Sequence, residues 1–219
     1  MVTFNEVKNN EKIKAYIKKA DESLLALGYT DHSFAHVGLV SERAGYILEE
    51  LGYSAHDVEL VKIASYLHDI GNIVNRKEHS QSGAVMAFRI LDNMDMDADD
   101  IATIVTAIGN HDEGDGEAVN AVSAALIIAD KSDVRRTRVR NIDMTNFDIH
   151  DRVNYSVIQS SLEINSEKSV ITLNLKIDTE ISSVMNYFEI FLNRMVMCKK
   201  AAKKLNLEFK LVINDQVLI

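Results

Sequence analysis

The 219-residue chain contains no proline and one cysteine, Cys198. Without proline, helices have to be ended by glycine and polar caps, and Gly28, Gly52, Gly71 and Gly114 stand where helical patterns stop. A lone cysteine excludes an internal disulfide and suits a reducing cytosol. Lying on an amphipathic pattern, it reads as core filler rather than a nucleophile. No apolar run approaches the roughly 18 residues of a membrane span. The first 28 residues carry charges throughout and lack the apolar core of a signal peptide. Positive charge is in deficit: 24 Lys and Arg against 33 Asp and Glu leave a net charge of −9, which argues against broad binding of nucleic acid or anionic membrane. These absences lead to the expectation of a cytoplasmic protein.

With 47% apolar and 26% charged residues, the chain can bury one sizeable core, or a main domain with a small appendage. No internal repeat or low-complexity segment interrupts it. Ile13, Ile17, Ala20, Leu24 and Leu27 recur at helical steps, and a second helix from about Ser33 is striped by Val37, Val40, Ala44, Ile47 and Leu51. A third, apolar on most sides, runs from about Ser54 to Asp69. A fourth starts near His79, a fifth carries Ile101, Ile104, Val105 and Ile108, and the nearly all-apolar "AVSAALIIAD" predicts a buried sixth ending at Asp130.

From Asp143 the pattern changes to alternation. Leu162 and Ile164 predict a strand paired through a hairpin with Ile171, Leu173, Leu175 and Ile177. Ile181, Met185, Phe188, Leu192 and Met195 predict a long helix to about Leu205, and Leu207 to Ile213 a last strand. A strand–helix–strand unit is normally a parallel crossover. The expected fold is therefore mainly α, with an all-helical bundle over residues 1–142 and a small α+β (β-β-α-β) appendage over 143–219.

Four His-Asp dipeptides occur, at His56, His68, His111 and His150, so the pair alone carries no information. The His68-Asp69 pair differs in ending an apolar helix just before Gly71, where two neighbouring side chains can turn toward one point. Asp130, after eight apolar residues, is costly to bury unless it is paired or binds a metal. His36, His68, Asp69, His79, His111 and Asp130 sit at the inner side or the end of five different helices. Imidazoles and carboxylates of this kind suit transition metals of intermediate softness.

The ordered segments "AHVGLVSERA", "YLHDIGN" and "LIIADKSD" resemble the HD-domain superfamily of metal-dependent phosphohydrolases over about residues 30–140. "HSQSGA" and "AIGNHDEG" resemble the extra histidine segments of its two-metal members. The chain departs from the HD-GYP type, having Asn110-His111 in place of paired histidines and lacking Gly-Tyr-Pro. The resemblance implies that His36, His68, Asp69 and Asp130 hold one divalent metal, and that Asp69 bridges to a second held by His79 and His111. The ions would be Mn, Fe, Co, Ni or Zn. It further implies hydrolysis of a phosphomonoester, phosphodiester or phosphoanhydride, with a nucleotide as the expected small phosphorylated substrate. Asp69, His68 and Lys131 are the expected catalytic residues, and Lys131, Arg135 and Arg136, with Arg138 and Arg140 of the same run, expected phosphate contacts.

Simpler readings stand beside these. His32, His56 and His150 read as structural histidines, and basic residues after a helix often only face water. Asp112, Glu113 and Asp133 are as compatible with a solvated position as with a functional one. "DNMDMDADD" lacks the glycine and terminal glutamate of a calcium loop and reads as a helix connection. Met185, Met195 and Met197 read as core or interface filler, and a homodimer is possible. Two other functions fit the same ligand set: a di-iron oxygenase, and a non-catalytic nucleotide sensor.

Overall fold

The computed structural model describes residues 2–141 and 143–219; Met1 and Ile142, the last residue of the expected bundle, lie outside the described residues. A short helix α1 (Phe4–Asn9) not expected from the sequence comes first, followed by α2 (Glu11–Ala26), α3 (Phe34–Glu50), α4 (Ala55–Leu67), α5 (His79–Asp92), α6 (Ala98–Gly109) and α7 (Ala121–Lys131). Where proline is lacking, side-chain caps begin the helices: Ser33, Ser54, Asp97, Asn120 and Ser183 each accept a backbone N–H of the first turn. Gly28 and Gly52 follow helix ends with φ of +82° and +80°, a conformation glycine adopts without strain. "DNMDMDADD" is a connection, with Asp97 capping α6.

Helix α7 is the centre of the bundle. Val122 to Ala129 are all buried, and the helix packs on α3, α4, α6 and α9. Among the described residues no helix is long and apolar enough to cross a membrane.

The second part adds α8 (Ile149–Ser156), unannounced by the sequence pattern, then β1 (Val157–Ile164), β2 (Val170–Ile177), α9 (Val184–Lys204), β3 (Glu208–Ile213) and a two-residue β4 (Gln216–Val217). β1 and β2 form the expected hairpin, with Leu162 opposite Leu173 and Ile164 opposite Ile171. β2 and β3 run parallel, as a crossover through α9 requires, and β4 returns antiparallel on β3. The sheet is thus four-stranded, one strand more than expected, so only the first part is all-helical.

Helix α9 buries a different face from the expected one. Tyr187, Phe191, Met195, Cys198 and Ala202 point into the core, whereas Met185 is 75% and Leu192 49% exposed. Both stripes have helical spacing, but the buried one carries two aromatic rings with more apolar area to remove from water. This rotation brings Arg194 against the bundle. The apolar core runs without interruption from α1 through α7 and α9 to β3.

Candidate metal centre and its cavity

Helix α4 ends at Leu67; His68 is its cap, Asp69 has left the helix, and a 3-10 turn covers Ile70–Ile73. Gly71 does not act by loosening this end. Its backbone lies against the first turn of α5, where a Cβ would overlap the His79 carbonyl oxygen and stand 2.5 Å from the Gly83 nitrogen. A Cβ on Gly83 would in turn meet His68 O at 3.2 Å. Two facing glycines thus let α5 approach closely enough to set His79 beside Asp69.

Four imidazoles are anchored in the same way. Nδ1 of His68 lies 2.7 Å from Ser65 O, that of His111 2.6 Å from Ile108 O, and that of His79 3.1 Å from Arg76 O. Nδ1 of His36 lies 2.7 Å from Asp133 Oδ2. Carbonyl and carboxylate oxygens only accept, so each Nδ1 carries a proton, and in the neutral ring each Nε2 presents a lone pair inward. The Nε2 atoms of His36 and His68 are buried with no hydrogen-bond partner.

These nitrogens converge on two carboxylates. Asp69 Oδ2 is 3.5 Å from His36 Nε2 and 3.2 Å from His68 Nε2, while its Oδ1 is 3.4 Å from His79 Nε2. One oxygen therefore faces each side. Asp130 Oδ1 is 3.3 Å from His36 and 3.6 Å from His68. His79 and His111 bring their Nε2 atoms to 3.1 Å from each other. Donor atoms of His36, His68 and Asp130, and again of His68, Asp69 and His111, lie within 4.8 Å of one another.

Burial opposes charge here, yet both carboxylates are held well below the ordinary range, Asp69 chiefly by His68 and Asp130 chiefly by Lys131. The same field overcomes burial at His68, pushing it up to about 10 through Asp69 and Asp130. It also raises His36 against burial and Arg138. His111 is driven well down by burial and by the positive neighbours His68 and Lys131; His79 is lowered by burial, with Asp69 opposing. Two ionised carboxylates facing inward lone pairs call for positive charge, which either protons or metal ions can supply. The donor set therefore fits divalent transition metals, with a carboxylate-rich side at His36, His68 and Asp130 and an imidazole-rich side at His79 and His111.

The centre forms the floor of a cavity of about 410 Å³, into which Asp69, His79, His111, Asp130 and Lys131 open. Lys131 Nζ lies 2.8 Å from Asp130 Oδ2 and 3.4 Å from Glu113 Oε1. Arg135 and Arg136 are not on this cavity. Arg135 pairs with Asp133 and Thr137 on the outer side of α3, and Arg136 donates to Tyr155 O and lies over the Tyr155 ring. Adjacent residues on a 3-10 turn diverge, so a basic run does not make a basic wall. The arginines that line the cavity are Arg76, Arg138 and Arg194. Arg138 is buried, with its donors spent on Asp31 O and Asp133 O. Neither Arg76 nor Arg194 belongs to any sequence pattern, although the stripe from Tyr187 to Ala202 was a signal that could have placed Arg194 at the edge of the buried face.

Of the histidines read as structural, His56 meets Asp100 at 2.7 Å. His32 and His150 line the cavity, His32 with its Nδ1 2.7 Å from Thr30 O and its ring edge-on to His36. Asp133 is fully buried behind His36, where the sequence left its position open.

A mainly helical fold thus gathers histidines and aspartates from five helices into one buried centre whose donors suit a divalent metal. The profile of the HD domain family matches residues 33–151, and the chain belongs to that family. It is 26% identical over 211 residues to the uncharacterized protein MJ1020 of Methanocaldococcus jannaschii, covering 85% of this chain and 79% of that one. It is also 30% identical over 138 residues to ribonuclease Y of Enterococcus faecalis and 30% over 122 residues to that of Latilactobacillus sakei. Those stretches take in 62% and 54% of this chain but only 24% and 21% of the ribonucleases.

Proposed function

We propose that this chain hydrolyses a small phosphate ester or anhydride, a nucleotide being the substrate class that fits best. The observation that carries the reading is the set of four imidazoles anchored outward through Nδ1, with their Nε2 atoms converging on Asp69 and Asp130. His36, His68, Asp69 and Asp130 would hold one divalent ion, Mn, Fe, Co, Ni or Zn; Asp69, His79 and His111 would hold a second. Bound there, such ions offset charge on phosphoryl oxygens and make water acidic enough to ionise near neutral pH.

The chain's own groups do the rest. Asp69, with one oxygen toward each half of the centre, orients the attacking water. His68 is fixed by Ser65 O so that its Nε2 stays aimed at Asp69. Lys131 Nζ, at the cavity wall beside Asp130, offsets charge on the phosphoryl group. The cavity volume of about 410 Å³ lies in the small-ligand range, and α8 and α9 wall its far side. Both features favour a nucleotide over a polymer. A reducing compartment such as the cytoplasm suits the free, buried Cys198.

The likeness to ribonuclease Y favours a second reading, in which the bond cleaved is a phosphodiester of RNA. Protein purified without chelator should carry about two transition-metal ions per chain, and H79A or H111A about one. A panel of nucleoside phosphates, bis(p-nitrophenyl) phosphate and short RNA then separates the substrates. Metal-loaded protein that turns over none of them removes the hydrolase reading, and O₂ consumption by a mixed-valence di-iron form would replace it with an oxygenase.

A further inference from the structure

Two arginines in the cavity, Arg76 and Arg194, come from neither the HD-type segments nor the basic run after α7, and Arg194 alone of them comes from the C-terminal part. Arg194, on α9, lays its guanidinium over the Phe191 ring, with Cζ 4.5 Å from the centroid. Its Nε lies 2.7 Å from Glu113 Oε1. The same Glu113 oxygen is 3.4 Å from Lys131 Nζ, which pairs with Asp130. Asp130, Lys131, Glu113 and Arg194 therefore form a row of alternating charge leading away from the centre, of which Asp130, Lys131 and Arg194 line the cavity.

The arginine is held from two sides, by the ring beneath its plane and by ion pairing with the Glu113 carboxylate. Its side chain keeps 25% exposure and borders the cavity, and among the described residues neither terminal nitrogen makes a hydrogen bond to the protein. A guanidinium fixed in this way loses little further freedom on binding, and its parallel N–H groups match two oxygens of one phosphate. It stands on the Lys131 side of the centre, separated from Asp130 by Lys131 and Glu113. The phosphate it suits is thus not the one at the His/Asp floor but a second one on the same substrate.

We propose that Arg194 binds a second phosphate of the substrate, so that the C-terminal part contributes to the substrate site and selects nucleotides with two or more phosphates. This deepens the phosphate-ester reading of the same cavity. The test uses the full, metal-loaded chain and two probes, inorganic phosphate and methylenediphosphonate, whose P–C–P bridge is not hydrolysed. Binding is followed by calorimetry, with folding checked by circular dichroism.

The wild-type chain is expected to prefer the diphosphonate. R194Q should weaken diphosphonate binding by ~10- to 100-fold, the range of a hydrogen bond to a charged group, and leave phosphate binding near wild type. R194K, which keeps the stem over Phe191 and a charge but not the fork, should fall between and decides the matter where R194Q does not fold. A wild-type chain without preference overturns the proposal. So does diphosphonate affinity unchanged in the variants, or equal loss of both probes with a lowered Tm, the mark of a merely structural role. Diphosphonate selectivity in a chain without any turnover leaves the proposal standing while removing the hydrolase reading.

Discussion

Asp133 shows how many demands one buried carboxylate can meet. It accepts the His36 Nδ1 proton and the Arg135 Nε–H, each at 2.7 Å, and lies 3.8 Å from Arg138. Burial favours its protonated form, but Arg138 first, and then His36 and Arg135, outweigh burial and keep it ionised. Asp133→Asn keeps the shape and removes the charge, leaving Arg138 buried without its counter-ion. Breaking a buried pair on one side costs about 3–5 kcal/mol. Losing the group that orients His36, a proposed ligand, should weaken metal binding by ~10- to 100-fold. Denaturant unfolding and metal titration measure the two effects, and an Asn variant as stable and as metal-retentive as the wild type would remove Asp133 from this role. The sequence left Asp133 undecided because it lies beyond the last turn of α7, where helical periodicity no longer says which way a side chain points.

At the scale of elements, the approach of α5 to the turn after α4 depends on the absence of two side chains. Gly71→Ala would press a methyl group into backbone, and overpacking of this kind costs about 1–3 kcal/mol. It should also move His79 away from Asp69, so the expected outcome is a lowered Tm together with loss of about one metal ion per chain. Gly114→Ala, where a Cβ would meet nothing, should change neither. The two faces of α9 offer a second contrast. Phe191→Ala empties buried volume and should cost about 3–5 kcal/mol. Met185→Ala, on the exposed stripe, should stay within about 0.5 kcal/mol. Equal effects at the two positions would mean that the exposed stripe is covered in solution.

How far these elements were legible depends on what kind of signal carries them. Helices α2, α3, α5 and α6 and the hairpin follow from periodicity, because each has one clear apolar face, whereas α4 and α7 follow from nearly continuous apolar runs. Four residues of the centre were legible from the order of His36, His68-Asp69 and Asp130, and His79 and His111 from the two segments that resemble those of two-metal members; the structure brings the six side chains together. Helix α9 was placed correctly but turned wrongly, since it is apolar on two sides and only tertiary contact chooses between them. The short α1 and α8 lack enough residues to show a period. Arg76 and Arg194 were invisible for another reason: a single arginine carries no pattern, and its position depends on elements distant in sequence.

Over the whole molecule, the change in secondary structure at residue 143 is not a break in the core. Helix α9 covers α7, and Arg43 of α3 donates both to Ser132 Oγ and to Ser160 O of β1, each at 2.9 Å. Residues 1–142 expressed alone should therefore expose the apolar face of α7. The expected outcome is an aggregating or partly unfolded fragment in size-exclusion chromatography and circular dichroism, whereas the complete chain should unfold in one cooperative transition. A truncated bundle with a sharp transition of its own would show that the two parts are independent.

The donor groups of the centre come from α3, the end of α4, α5, the end of α6, and α7, which are far apart along the chain and brought together only at their tips. From the standpoint of folding, any ion bound there is a cross-link: it ties together loops that the unfolded chain would have to close at an entropic cost, and it binds the native state almost exclusively. Its effect follows mass action, about 2.7 kcal/mol when free metal is a hundredfold above the dissociation constant. Chelation should then do more than stop turnover. It should lower Tm, speed unfolding, and loosen the segment between Asp69 and His79 to proteolysis, because both ends of that stretch belong to the centre.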